Sequence, residues 1–363
     1  MDYILLSLIR GVFNVKNNMK NSFFLGIAFT TFILLFGCSE QEDFQLVQQS
    51  KFALGTYNQI TLYAPDEEQG QDIINEVFTR VNEIENLMSI NIEDSDVSRL
   101  NDQAGESAVT VDPETFYLLQ LGKEYKEITN ETFNIGIGAL IDLWDIGGDD
   151  QRVPDKSEIE ALLGHFDLDQ LTLNEDSYEA KIDDPEMIIN LGGIAKGYAV
   201  DEAIRIIKEH GVEHAIVDFG GDVYVLGGNP DGNDWRIGIS NPEIGESGVV
   251  GRLFSSDMAV VSSGDYERYF KKNGQLYHHI LNPFTGYPTD NQLSSVTVIS
   301  DTALQGDILS TAVFVMGLED GLNFINEMDD IEAILITESK DVYVTAGASD
   351  LFEIMDEEYV IVE

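Results

Sequence analysis

The chain has 363 residues and a formal net charge of −46, from 66 acidic against 20 basic residues. That length allows one or two domains with a large core, while so negative a surface disfavours non-specific nucleic-acid binding and adsorption to anionic lipid headgroups, which both demand basic patches. Acidity on this scale reads first as solubility or salt adaptation, and the lone cysteine, Cys38, excludes an internal disulfide framework and a cysteine-based zinc site.

Lys16 and Lys20 precede an apolar stretch from Phe23 to Phe36 that runs into Leu35-Phe36-Gly37-Cys38-Ser39. The stretch has signal-peptide length and falls short of the about 20 apolar residues needed to span a bilayer. A small residue before a lone cysteine resembles the lipobox of bacterial lipoproteins, where the thiol is acylated and the signal is cut before it. The alternative is an uncleaved anchor with an incidental buried cysteine. On the lipobox reading, residues 1–37 are a signal peptide, which Met19 would open in a more compact form. Cys38 is then lipidated, residues 38–50 are an acidic tether, and residues 51–363 are one domain at the extracytoplasmic (periplasmic) face of the cell membrane.

From Phe52 to Ala64 the pattern is strand-like, interrupted at Gly55 and Thr56. Gln71 to Met88 reads as an amphipathic helix, because Ile74, Val77, Phe78, Val81, Ile84 and Met88 share one face. A second helix follows Asp112, with Pro113 at the favoured first position and Phe116, Leu119 and Leu121 facing inward. Asp149 to Asp155 is a charged excursion, and Ser157 is the expected cap of a short helix ending near Gly164. Leu171–Leu173 and Ala180–Ile182 suit a hairpin around Asn174 to Ser177.

Asn190 to Gly197 leads into a helix that continues to His210 and stops at Gly211. Strands follow at Ala215–Asp218, Val223–Leu226, Trp235–Ile239, Val249–Phe254, Met258–Val261 and Ser294–Ile299. Helices are then expected at Asp301–Met316, closed by Gly317, and near Leu318–Glu327, with strands at Glu332–Ile336 and Val342–Val344. Strands in succession with helices in blocks favour an α+β fold over regular βαβ alternation.

Five segments carry chemistry. Asp307 and Thr311, four apart on the expected helix, share one face and offer hard oxygen ligands for Mg²⁺ beside a phosphate, or are ordinary solvated side chains. Asn190-Leu191-Gly192-Gly193-Ile194-Ala195-Lys196-Gly197 puts two glycines at the mouth of a helix, where amide groups favour an anion and Lys196 adds a charge; a purely structural turn is the alternative. Asp218-Phe219-Gly220-Gly221-Asp222 is a tight hairpin or a ligand loop. Val261-Ser262-Ser263-Gly264-Asp265-Tyr266 and the histidine pair of Tyr277-His278-His279-Ile280-Leu281-Asn282-Pro283-Phe284-Thr285-Gly286 present polar side chains near a Pro and Gly turn.

Taken in order, Met88-Ser89, Asp94 to Asn101, Phe133-Asn134 to Leu143-Trp144, Leu191 to Asp201, Ser262-Ser263-Gly264, His278 to Gly286 and Asp307 to Thr311 resemble the ApbE-type FAD:protein FMN transferases from about Lys51 to Thr345. The resemblance implies an α+β fold: a single two-lobed catalytic domain with mixed, largely antiparallel sheets and flanking helices, of T-fold-like type. It implies a Mg²⁺-dependent enzyme that splits FAD, moves FMN onto a threonine or serine of a partner protein and releases AMP. Extracytoplasmic electron-transfer subunits are the expected acceptors. The family's metal site falls on the Gly193 carbonyl, Asp307 and Thr311, and its flavin contacts on Leu54, Asn91, Thr132, Phe133, Asn134, Asn190, Lys196 and Leu281.

The chain departs from the family where methionine is common (Leu54), where tyrosine is common (Asn91) and where aspartate is common (Asn190). Gly136 and Ala139 stand where threonine and proline are usual. In the implied mechanism His279 takes the acceptor's proton, Asp307 belongs to the catalytic metal site and Lys196 counters phosphate charge. An FAD pyrophosphatase and a non-catalytic flavin-binding lipoprotein are the competing classes.

Overall fold

The computed structural model describes residues 44–362, which belong to one compact unit. The expected signal segment, Met19 and Cys38 lie outside the described residues. Among the described residues the main sheet has strands β1 (Gln45–Ala53), β2 (Thr56–Ala64), β3 (Ala215–Phe219), β4 (Asp222–Leu226), β5 (Met258–Gly264), β6 (Leu293–Ser300), β7 (Glu332–Thr337), β8 (Asp341–Val344) and β9 (Val360–Val362). Their order across the sheet repeats their order in the chain. Neighbours are antiparallel throughout, except that β9 closes the sheet parallel to β8.

The first hairpin corrects the expected tether. β1 pairs with β2 along its whole length from Gln45 to Ala53, so residues 45–50 are strand. Val47 is buried in the main core, and the ladder satisfies the backbone of a stretch whose side chains are mostly polar and exposed. Leu54 and Gly55 form the turn, both with positive φ, at 52° and 71°. Two such residues in a two-residue connection match the twist of the flanking strands.

The helices are α1 (Glu67–Met88), α2 (Asp96–Asp102), α3 (Pro113–Ile128), α4 (Gly138–Trp144), α5 (Lys156–Leu162), α6 (Ala195–Glu209), α7 (Ala303–Met316) and α8 (Leu318–Asn326). α1 buries the face expected of it, with Ile74, Val77, Phe78, Val81, Ile84 and Met88 all buried, and packs on α6, which in turn packs on α7. Strand β6 is buried at every position. Val296 and Val298 cluster with Leu309 and Val313 of α7, whereas Ile299 clusters with Trp235, Ile237 and Val250 of a separate three-stranded sheet. A strand covered on both faces loses alternation in its sequence, which is why it reads as a plain apolar run.

Two local expectations change. Asp155, not Ser157, caps α5, because Asp155 and Glu158 form a reciprocal capping box and the Asp155 N–H donates to Glu158 Oε2 at 2.7 Å. A hairpin, Tyr269–Lys272 with Gln275–His278, precedes the second histidine. This hairpin belongs to a smaller core of Leu140, Trp144, Ile159, Phe166 and Leu281, with Phe270 and Tyr277 stacked at 5.2 Å. Trp144 Nε1 donates to Gly286 O at 2.8 Å and fixes the segment after His279 against that core.

Candidate active site

The glycine turn is built by its own polar side chain. Asn190 Oδ1 accepts from the Gly192 N–H at 2.8 Å, and the Asn190 N–H donates to Ile135 O at 2.8 Å. The turn therefore lies beside residues 133–136. Gly193 sits so close to Phe133 that a Cβ there would come within 3.3 Å of the ring. Chain direction then turns into α6, whose first turns meet α7 backbone to backbone. At Gly197 a Cβ would lie 2.5 Å from Ala303 O, so no larger residue fits without parting the helices.

That close approach lets the two helices cap one another. The Gly197 N–H donates to Asp307 Oδ2 at 3.0 Å, while Asp201, one turn further along α6, accepts from the Ala303 and Leu304 N–H groups at 2.8 and 3.0 Å. Each carboxylate satisfies donors that a helix start leaves unpaired. Burial pushes the Asp201 carboxyl up to about 6 in spite of those two bonds.

Lys196 reaches from α6 into a buried acidic surround. Its ammonium pairs with Asp222 Oδ1, and Asp307 Oδ1 lies 3.8 Å away. Burial opposes its charge, but Asp222, then Asp307 and Glu267, hold it above its ordinary value. Asp222 is fully buried at the start of β4, and its Oδ2 has no hydrogen-bond partner among the described residues. A buried carboxylate with one oxygen unpaired is costly, so its position calls for a role.

His279 faces the same cluster from the other side. Its Nε2 lies 4.0 Å from Glu267 Oε2, its Nδ1 is buried without a partner among the described residues, and its backbone N–H donates to Arg268 O at 3.0 Å. About a quarter of the side chain, 28 %, stays accessible at one edge. Burial, with Arg268 and His278 nearby, pulls the imidazole down to about 3, and it is neutral near pH 7. Glu267 is pushed up to about 7 by burial, against the pull of Lys196 and Arg268. The histidine pair divides: His278 is buried, holds Thr289 O through Nε2 at 2.8 Å and packs its ring on Phe314.

On α7, Thr311 follows Asp307 by one turn, half-buried, with its Oγ1 3.4 Å from Ser263 Oγ; Ser263 also meets Ser310 at 2.8 Å. The serine pair thus joins β5 to α7, while Ser262 bonds Thr297 within the sheet.

The expected flavin positions fall into three groups. Thr132, Phe133, Asn134 and Asn190 adjoin the glycine turn, but Phe133 is buried in the main core and the Asn134 side chain is engaged by Phe166 O and the Gly136 N–H, at 2.9 and 2.8 Å. Leu54 and exposed Asn91 flank the end of α1, where the Leu54 N–H donates to Glu85 Oε1 at 3.0 Å. Among the described residues no hydrogen bond or ion pair joins either to the Lys196 cluster. Leu281 is buried in the smaller core, so its side chain serves packing and only its backbone remains for a ligand.

Glu267 and Asp201 were absent from the sequence-based site, and Asp222 entered it only as the end of the Asp218–Asp222 turn, read as a hairpin or a ligand loop.

Asp307 and Thr311, one turn apart on α7, are a carboxylate and a hydroxyl, hard oxygen donors of the kind Mg²⁺ takes. Among the described residues no group of three or more His, Cys, Asp or Glu is gathered for a metal.

The model of the ApbE family matches residues 54–335. The chain is 34% identical over 321 residues to an FAD:protein FMN transferase of Klebsiella pneumoniae, covering 88% of this chain and 98% of that protein. It is 30% identical to the FAD:protein FMN transferase of Treponema pallidum, over 89% and 93% of the two chains. Among solved structures it resembles the ApbE protein of Thermotoga maritima, with a TM-score of 0.75, 32% identity and 86% and 97% coverage. It also resembles the flavin transferase ApbE of Vibrio cholerae, with a TM-score of 0.76, 27% identity and 85% and 99% coverage.

Proposed function

This chain belongs to the ApbE family, and from that premise we propose that it transfers FMN from FAD to a serine or threonine hydroxyl of a partner protein. The observation that carries the reading is the joining of the glycine turn and α7 through the Gly197–Asp307 bond, with Lys196 and His279 facing the same cluster. Two segments 110 residues apart in sequence thereby line one site.

The Gly193 carbonyl, Asp307 and Thr311 would hold Mg²⁺, which when bound neutralises charge on the FAD pyrophosphate and on the departing AMP. The acceptor oxygen bonds to the phosphorus of the FMN half as the anhydride bond to the AMP half breaks. The hydroxyl proton passes to the neutral imidazole of His279, and the negative charge leaves on AMP. Lys196 contributes a fixed positive charge facing the phosphates, and the Glu267 carboxyl, 4.0 Å from His279 Nε2, would stabilise the charged form of the ring through its field.

Cys38 would carry the lipid that anchors the domain outside the cytoplasm, with signal cleavage before it. An extracytoplasmic electron-transfer subunit is the acceptor class that this location favours.

The test is incubation of the protein with FAD, Mg²⁺ and a candidate acceptor, followed by a fluorescent gel and an AMP assay. Covalent flavin on the acceptor with equimolar AMP is the expected result. Free FMN and AMP without labelled acceptor would make the protein a pyrophosphatase instead, and intact FAD would make it a flavin-binding protein.

A further inference from the structure

Lys196 stands between two carboxylates that have different work to do. Asp307 is the single carboxylate in the oxygen set for a divalent cation, and it is already tied to the Gly197 N–H through Oδ2. Its other oxygen, Oδ1, is the one that faces the lysine ammonium at 3.8 Å. A cation at Oδ1 and an ammonium at Oδ1 exclude each other by charge, so the lysine needs somewhere else to be.

The structure supplies that place. Asp222 is buried and holds the ammonium in direct contact, and the two-residue turn Gly220-Gly221, with φ of 63° and 97°, leads into the start of β4 that carries it. The Asp218 Oδ1 accepts the Gly221 N–H at 3.0 Å and closes the turn. The other titratable and charged groups packed around this lysine are Glu267, Asp218 and His279, with Arg268 beyond Glu267. None makes contact as close as Asp222 does.

We propose that Asp222 is a positioning residue that anchors the Lys196 ammonium away from Asp307, leaving Asp307 Oδ1 free to take the divalent cation. The inference rests on the metal reading given above. It assigns Asp222 no contact with the substrate; its action is exerted through Lys196.

The test is a double-mutant cycle on Mn²⁺ binding to the purified full-length chain without flavin, read as the loss of the free-ion electron paramagnetic resonance signal. Asp222→Asn and Lys196→Met are made singly and together. If Asp222 acts through the lysine, Asp222→Asn weakens Mn²⁺ binding by a factor about fivefold or more larger in the presence of Lys196 than in the Lys196→Met background. Equal factors in the two backgrounds would mean that Asp222 contributes only through its own field or through folding, and would overturn the proposal. Absence of Mn²⁺ binding by the unmodified chain would overturn the metal reading itself and this proposal with it. Should Asp222→Asn fail to fold by circular dichroism, Asp222→Glu takes its place in the cycle, since it keeps the charge but moves the anchor by one methylene.

Discussion

The Gly197 N–H donates to Asp307 Oδ2 at 3.0 Å, so the carboxylate central to the site is oriented by the helix that also carries Lys196. Asp307→Asn keeps an oxygen that can accept this bond but removes the charge. Mg²⁺-dependent transfer should fall by roughly 10² to 10³ while Tm stays near that of the parent protein. Asp307→Ala should lose transfer equally and also lower stability by about 1–3 kcal/mol, because the buried Gly197 N–H is left without a partner. AMP release and thermal unfolding of the two variants separate the effects; full activity of Asp307→Asn would remove the carboxylate from the mechanism.

His279→Ala should slow transfer by about 10² to 10⁴ with FAD binding little changed, since the ring serves the proton rather than the grip on substrate. The same ring is held at about 3 by burial, against 6.5 for a free imidazole. Nitrogen NMR of the labelled protein should therefore show His279 neutral at pH 5. A midpoint near 6.5 would contradict the buried environment described here.

Gly197→Ala places a methyl group 2.5 Å from Ala303 O, a backbone atom that cannot swing aside. Parting α6 from α7 should cost about 1–3 kcal/mol and stretch the bond to Asp307. Calorimetry should record a lower Tm, and a parent-like Tm together with parent-like transfer would show that the two helices separate at no cost.

Asp265 is pushed up to about 7 by burial and by Glu338, and its Oδ1 has no partner among the described residues. Its folded value lies above the unfolded 3.8, so the folded state keeps a proton that the unfolded chain has lost. Stability associated with this group is present below 3.8 and is lost as pH rises towards 7. Asp265→Asn escapes that loss. Its Tm relative to the parent should rise from pH 4 to pH 7 and then level off, and a difference that did not vary with pH would place the raised value elsewhere.

Much of the fold was legible because its long elements carry one-sided patterns. The inward face of α1, the Pro113 start of α3 and the hairpin of Leu171–Asn174 with Glu179–Ile182 all stand where spacing put them. The short helices α2 and α4 escaped, since seven residues offer too few turns for a periodic signal, whereas α5, equally short, was legible through the polar residues at its start. Residues 45–50 escaped for a different reason: an edge strand with mostly polar side chains is defined by its partner, β2, more than by itself.

Asp307 with Thr311 and the glycine turn stand out in the sequence because each is local to one motif, and the structure brings the two segments together through the Gly197–Asp307 bond. The site was hidden where burial alone gives a side chain its meaning. Asp222 reads as a hairpin residue until Lys196 is seen against it, and His278 reads as the equal of His279 until one is found inside the core and the other beside Glu267.

Trp144 is one of two tryptophans in the chain, the other being Trp235, which belongs to the cluster on the far side of the sheet. Its indole is hydrogen-bonded to Gly286, at the end of the segment that begins with the histidine pair, and its ring packs near Tyr277. Trp235→Phe would leave a single emitter built into the histidine segment's own support. The colour and lifetime of that emission would then track, without any added label, whether this part of the protein shifts as flavin arrives and departs.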